Sequence, residues 1–180
     1  NGSQIFTLQP LVFVGAFISQ IVTGDFNSDA KMDIACSDNN NKRVCVTLGV
    51  GNGTFLPYSA YSSGGKCNHL VLGDFDIDTR VDIVATNNQT LGNFAFLKGQ
   101  ADGSFGSYAL RTIERPFAIN VGLVNNDAYE DLVVVHNSAQ RIGVMLGNSD
   151  GTFQNTTYDS CWWSMSDLEL GDFNNDGKLD

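Results

Sequence analysis

The sequence predicts an all-β fold, a β-propeller of four-stranded antiparallel blades, with about three and a half blades present in the chain. Three observations carry this. The segment Gly24-Asp25-Phe26-Asn27-Ser28-Asp29 returns as Gly73-Asp74-Phe75-Asp76-Ile77-Asp78 and as Gly171-Asp172-Phe173-Asn174-Asn175-Asp176. A degenerate copy, Gly122-Leu123-Val124-Asn125-Asn126-Asp127, lies between them, so the glycines stand 49 residues apart each time. A second signature keeps the same beat: Leu48 through Phe55 corresponds to Leu97 through Phe105, with one extra residue, and to Leu146 through Phe153. Within each repeat the apolar runs are short and bounded by Asn, Gly and Asp clusters, which reads as strands joined by tight turns.

Each unit therefore holds four strands, A to D. Strand A ends at the Gly-Asp-Phe. Strand B is Asp33-Ile34-Ala35-Cys36, Asp82-Ile83-Val84-Ala85 and Asp131-Leu132-Val133-Val134-Val135 in the three repeats. Strand C is Val44 through Leu48 and its copies, and strand D follows the Thr-Phe turn. Apolar residues on both faces of B and C fit sheets that pack against a neighbour on each side. The blades are expected at about 16–64, 65–113 and 114–162, with a leading outer strand at 1–15 and a trailing inner strand plus loop at 163–180. Seven blades at this period would need about 343 residues. The chain is thus expected to be a window of something longer, or to complete a ring or stack with other copies.

Hydrophobic residues make up 42% of the chain and charged residues 17%, the balance of a globular domain with a core. The formal net charge of −10 excludes a basic nucleic-acid footprint. No apolar run approaches membrane-helix length, so no membrane insertion is expected. Twelve of the 20 acidic residues fall at corresponding positions of the four loops, and that clustering points to cation sites rather than to a solvated acidic surface.

The Gly-Asp-Phe-Asn-x-Asp loop, the Asp-Ile-Val-like strand after it and the Leu-Gly-x-Gly-x-Gly-Thr-Phe turn resemble the FG-GAP/VCBS repeats, which also form integrin-α propellers. The resemblance covers nearly the whole chain. It implies a propeller, commonly seven-bladed, with Ca²⁺ in the A–B loops.

The loop pattern is D-x-[DN]-x-D-x-x-x-D. Loop one offers Asp25, Asn27, Asp29 and Asp33, loop two Asp74, Asp76, Asp78 and Asp82, and loop four Asp172, Asn174, Asp176 and Asp180. Alternate residues of a tight loop turn their oxygens to one centre. The seventh residue (Lys31, Arg80, Lys178) is expected to give its carbonyl, and the ninth to return a carboxylate. Hard, partly ionised oxygen ligands suit Ca²⁺ better than Mg²⁺. The competing reading is a set of Asx-turns without metal, but so many acids in nine residues repel one another without a cation. In loop three Leu123 replaces the first carboxylate, leaving Asn125, Asp127, Asp131 and the Tyr129 carbonyl, so a weak or empty site is expected. The calcium is expected to be structural, because a catalytic metal needs an open position beside an acid or base.

Strand order puts the calcium loops and Asn52 at one end of the blades, with Asn88, Cys67, Trp162 and Trp163 at the other. The tandem tryptophans read as a sugar-stacking or partner-binding platform, or as a plug between blades. Sequons occur at Asn1, Asn52, Asn88 and Asn155, usable in a secreted glycoprotein. His69 and His136 have no Ser or Cys partner at a triad spacing and read as packing residues. A disulfide is expected between Cys36 and Cys45, across a hairpin whose two-residue turn would make them a non-hydrogen-bonded pair. Cys67 and Cys161, two blades apart, are not expected to pair. The resulting function is an extracellular or cell-surface module for adhesion, scaffolding or filament structure, its partner a protein or glycan ligand or further copies of itself. A lectin is the alternative, and an enzyme is not expected.

Overall fold

A computed structural model describes residues 14–87, 92–107, 109–125, 127–136, 139–161, 165 and 167–180. Among the described residues, twelve strands form three antiparallel sheets, each in simple sequential order. The first holds β1 (Ile18–Gly24), β2 (Asp33–Asp38), β3 (Arg43–Thr47) and β4 (Ser59–Ser62). The second holds β5 (Cys67–Gly73), β6 (Asp82–Asn87), β7 (Asn93–Leu97) and β8 (Ala109–Thr112). The third holds β9 (Ala118–Gly122), β10 (Asp131–His136), β11 (Arg141–Met145) and β12 (Thr157–Ser160). The outer strands β4, β8 and β12 are mostly exposed, whereas β6 and β10 are buried along their whole length.

The sheets stack face to face, and the period-2 alternation of strand side chains divides each central strand between two cores. Ile83 and Ala85 of β6 pack with Val44, Val46 and Phe26 of the first sheet. Val84, between them, packs the other way, with Leu132, Val134 and Met145 of the third. Aromatic edges close each seam. The Phe26 ring meets Phe105 of the next sheet at 5.6 Å and 76°, and Phe75 meets Phe153 at 5.7 Å and 65°. The Gly-Asp-Phe aromatic is therefore a knob for the Thr-Phe turn of the following blade. Among the described residues Phe173 meets no such turn, and it is 75% exposed. The result is an open fan of three sheets; no sheet is closed on itself.

Two expectations about register are corrected. Strand pairing aligns Gly49, Gly99 and Gly147, each bridged to the phenylalanine of its turn, so Leu48 corresponds to Lys98 and Leu146 and not to Leu97. The extra residue of the second repeat lies in the loop between β6 and β7, five residues long against four in the other two blades. A connection one residue shorter between β8 and Gly122 then restores the spacing of 49. Two compensating changes thus look like none when only the period is counted. The β2–β3 turn is also longer than expected. Residues 39–42 form a four-residue loop, with Lys42 in the left-handed region at φ 56° and its amide bonded to the Asn39 carbonyl at 3.3 Å.

The expected inner strand within 163–180 is absent among the described residues, which form no regular strand there. A strand is defined by a paired neighbour. Among the described residues this segment makes one rung, from the Asp180 amide to the Gly171 carbonyl at 2.8 Å. The leading strand expected at 1–15 lies almost wholly outside the described residues, as do Asn1, Asn88, Trp162 and Trp163.

Candidate cation loops and the aspartate clamp

In each complete loop the first aspartate folds the chain over itself. Asp25 accepts the amides of Asp29 at 3.1 Å and Ala30 at 2.8 Å; Asp74 accepts Asp78 at 2.9 Å and Thr79 at 2.8 Å; Asp172 accepts Asp176 at 3.0 Å and Gly177 at 2.8 Å. The fourth and sixth loop residues turn left-handed in all three: Ser28 and Ala30, Ile77 and Thr79, Asn175 and Gly177. That conformation is unfavourable for the Ser, Ala, Ile and Thr among these residues and persists there only where the surroundings impose it. The seventh residue donates its amide to the fifth carboxylate, as Lys31 does to Asp29 at 3.0 Å and Arg80 to Asp78 at 3.0 Å. Lys178 does the same to Asp176 at 2.9 Å.

Loop three differs at its first position and keeps the contacts of its third, fifth and seventh residues. Leu123 is exposed in place of the first carboxylate. Asn125 and Asp127 bond each other at 2.7 Å, and Asp127 takes the Tyr129 amide at 2.7 Å.

The ninth residue has a role that the loop pattern conceals. Asp33, Asp82 and Asp131 are fully buried. One oxygen of each accepts an amide of the A–B loop: Phe26 at 2.8 Å, Phe75 at 3.1 Å and Val124 at 2.9 Å. The other accepts the glycine amide of the C–D turn: Gly49 at 2.7 Å, Gly99 at 2.7 Å and Gly147 at 2.8 Å. One carboxylate thereby ties the two turns at this end of the blade together. Loop three keeps this clamp although it lacks the first carboxylate, so the clamp is independent of a complete cation set. The glycine is required: a Cβ at Gly49, Gly99 or Gly147 would run into the carbonyl oxygen of Met32, Val81 or Glu130. Asp180 makes half the clamp, accepting the Phe173 amide at 3.1 Å.

Whether a cation suits the loops is best judged in loop two. Asp74, Asp76 and Asp78 bring carboxylate oxygens within 4.8 Å of one another, and Asp82 stands outside that group. The Asp76 side chain is only 10% exposed, and its Oδ1 has no hydrogen-bond partner. Burial, with the charges of Asp76 and Asp78 added, pushes the Asp82 carboxyl up to about 7, against the Gly99 and Phe75 amides that pull it down. Crowded, desolvated carboxylates with a free oxygen are what a hard divalent cation neutralises. The donor set fits Ca²⁺, with Asp74, Asp76 and Asp78 as the residues gathered to hold it.

Two further side chains reach loop two, and neither belongs to the motif. Lys98 lies against Asp76 and places Nζ 3.0 Å from Asp78. Glu130 of the third blade covers Gly73, and burial, with the Asp74 charge added, raises its carboxyl above the usual range. At this register the other blades carry Met32, Val81 and Leu179. Only the corrected strand register exposes Lys98 as a replacement for leucine.

The remaining sites are placed as follows. Asn52 and Asn155 are exposed. His136 is fully buried with Nδ1 at the Glu114 carbonyl, and half-buried His69 lies near Phe117 at 6.2 Å. Cys36 and Cys45 face each other across β2 and β3 as free thiols. The parity differs from expectation. Asn39 donates outward to Phe17, and Lys42 accepts from Ser63 on its own outer side. Alternation from those two residues points the backbone groups of Cys36 and Cys45 at each other, a hydrogen-bonded pair with Cα atoms about 5.5 Å apart. The four-residue turn is the cause. The Cys45 contact and burial hold the Cys36 thiol protonated, and burial alone pushes Cys67 up to about 12.

A family model described as FG-GAP-like repeat matches residues 25–85 and 124–180, more than half of the chain. The chain belongs to the FG-GAP-like repeat family. No curated protein matches it.

Proposed function

We propose that the chain is an extracellular, Ca²⁺-stabilised β-propeller repeat module used for adhesion, scaffolding or surface or filament structure. The observation that carries this is that every feature shared by the blades builds the blade. The folded loop, the aspartate clamp and the Phe–Phe seam are all structural, and they recur in register. Such repeats serve binding through the residues that differ between blades. Among the described residues no helix is long and apolar enough to cross a membrane. The loops supply their own ligands locally, and the described histidines pair with backbone and aromatic neighbours, which supports a non-enzymatic role.

A second reading, glycan binding, is favoured by one cleft. At the seam between the first two blades Tyr61 packs edge-on against Phe105 at 5.5 Å. At the next seam Arg111 stands in that register and bonds the Phe153 and Gln154 carbonyls. A cleft of about 390 Å³ remains there, walled by Phe94, Phe96 and Phe153 and edged by Asp150 and Thr152. The chain, immobilised with Ca²⁺, should be presented to a glycan array and to extracellular protein ligands. Binding to proteins or to itself with a blank array is the expected result. Saturable binding of one glycan class, lost in Arg111→Tyr, would replace the adhesion reading by the lectin one.

In an oxidising compartment the facing thiols Cys36 and Cys45 are expected to join, since a Cα separation of about 5.5 Å is within the common disulfide range. Intact mass with and without reductant should show a loss of about two hydrogens, and peptide mapping should place the link in the β2–β3 hairpin. A Cys67–Cys161 link within one chain would overturn the blade order.

A further inference from the structure

We propose that Lys98 is a built-in counter-cation of loop two, and that Ca²⁺ enters this loop by exchange with the Lys98 ammonium. The inference rests on the reading of the loops as Ca²⁺ sites and separates loop two from the others. Three observations converge. At this register blades one and three carry Leu48 and Leu146, apolar residues that cannot neutralise a carboxylate. Lys98 instead bridges two loop acids, in contact with Asp76 and 3.0 Å from Asp78. Loop two also has one more acid than loops one and four, because Asp76 stands where they have Asn27 and Asn174. The extra negative charge and the extra positive charge occur in the same blade and touch.

The seventh-residue cation does not explain this contact. Lys31 pairs with Asp29 at 2.9 Å in loop one, and Arg80 pairs with Asp78 in loop two, so every blade with that pair has it regardless of Lys98. Lys98 follows directly on β7, outside the loop, and its side chain is 47% exposed, so it can swing into solvent without unpacking the core. Asp76 is nine-tenths buried and keeps Oδ1 unpartnered while Oδ2 holds the lysine. The loop thus has one oxygen ready for a cation and others released by the departure of the ammonium. Loop two is held folded without metal and binds Ca²⁺ more weakly than its three gathered carboxylates would allow. Loop one has its own Lys31 pair with Asp29 but no second ammonium bridging two of its acids.

The test uses the whole chain and Ca²⁺ alone, following the amide resonances of Thr79 and Gly99, which bond Asp74 and Asp82 of loop two. Gly177, bonded to Asp172, reports loop four as the internal reference. Lys98→Leu and Lys98→Met should each bind Ca²⁺ in loop two about fivefold more tightly, the scale of a lost surface ion pair. Both variants should melt below the wild type in EDTA. In the wild type the Lys98 side-chain resonances should shift with the same midpoint as Thr79, a readout that needs no variant. Unchanged midpoints and unchanged EDTA melting in both variants would sink the exchange, as would weaker binding. A response at Gly177 with a stationary Thr79 would also sink it, leaving Lys98 as a permanent occupant. Silence at both loops would bring down the Ca²⁺ reading itself, and the exchange with it.

Discussion

Replacing Asp82 with alanine is expected to cost about 3–5 kcal/mol, among the largest effects of any single substitution in this chain. The carboxylate is fully buried, and its two oxygens satisfy the Phe75 and Gly99 amides. Alanine leaves both donors facing a dry space that water enters poorly, and each unsatisfied donor costs about 1–3 kcal/mol. The A–B loop and the C–D turn also lose the one buried carboxylate that ties their backbones, leaving the more exposed Arg80 and Lys98 contacts to hold them. Phe75, which follows directly on Asp74, is the knob of the second seam, so the damage spreads to Phe153 in the next blade. Asp82→Asn should fall between, because its carbonyl oxygen serves one amide while its NH₂ faces the other. Chemical denaturation of the three proteins checks the order. Equal stability of Asp82→Ala and wild type would refute the clamp. Asp131→Ala provides a control of special value: its loop lacks a full cation set, so a comparable loss there separates the clamp from any metal role.

Chelation is expected to lower the melting temperature by about 10 °C or more. Binding to the folded state alone stabilises by about 2.7 kcal/mol per site at a hundredfold excess over the dissociation constant. For a chain of this size each kcal/mol moves the midpoint by about 2–4 °C. The loops differ in how much of this they transmit. Loop one joins β1 to β2 beside the buried Phe26, so an emptied loop one loosens the first seam. Loop two is buffered by Lys98. Loop four is exposed, with Phe173 packed on no neighbouring turn, so its cation contributes little to melting even when bound. Differential scanning calorimetry in Ca²⁺ and in EDTA gives the shift. Asp25→Ala in Ca²⁺ should reproduce most of it and leave little further for EDTA to remove. An identical melting curve with and without Ca²⁺ would end the structural role assigned to the cation.

The repeats alone determined a great deal. A Gly-Asp-Phe returning every 49 residues and short apolar runs between polar turns placed four strands in each repeat and ordered them. The loop acids at alternate positions marked the candidate cation sites, and Leu123 marked the one that departs. These features were legible because they are local: a turn residue, a strand alternation or a loop ligand set is written within about ten consecutive residues.

What only the tertiary structure decided depends on which distant segments meet. The clamp was hidden because Asp33, Asp82 and Asp131 fit the ninth position of a ligand pattern, while their hydrogen-bond partners, Gly49, Gly99 and Gly147, lie 16 or 17 residues away across the sheet. Lys98 was hidden because a residue gained between β6 and β7 and one lost before Gly122 cancel in the spacing, so the count aligned Leu97 with Leu48. The parity of Cys36 and Cys45 turned on the left-handed Lys42, a conformation that the turn residues do not announce. Glu130 met loop two of the preceding blade only because the sheets stack face to face. A period counts residues along the chain, whereas hydrogen bonds and ion pairs count ångströms across it, and a one-residue shift leaves the first unchanged while it alters every partner in the second.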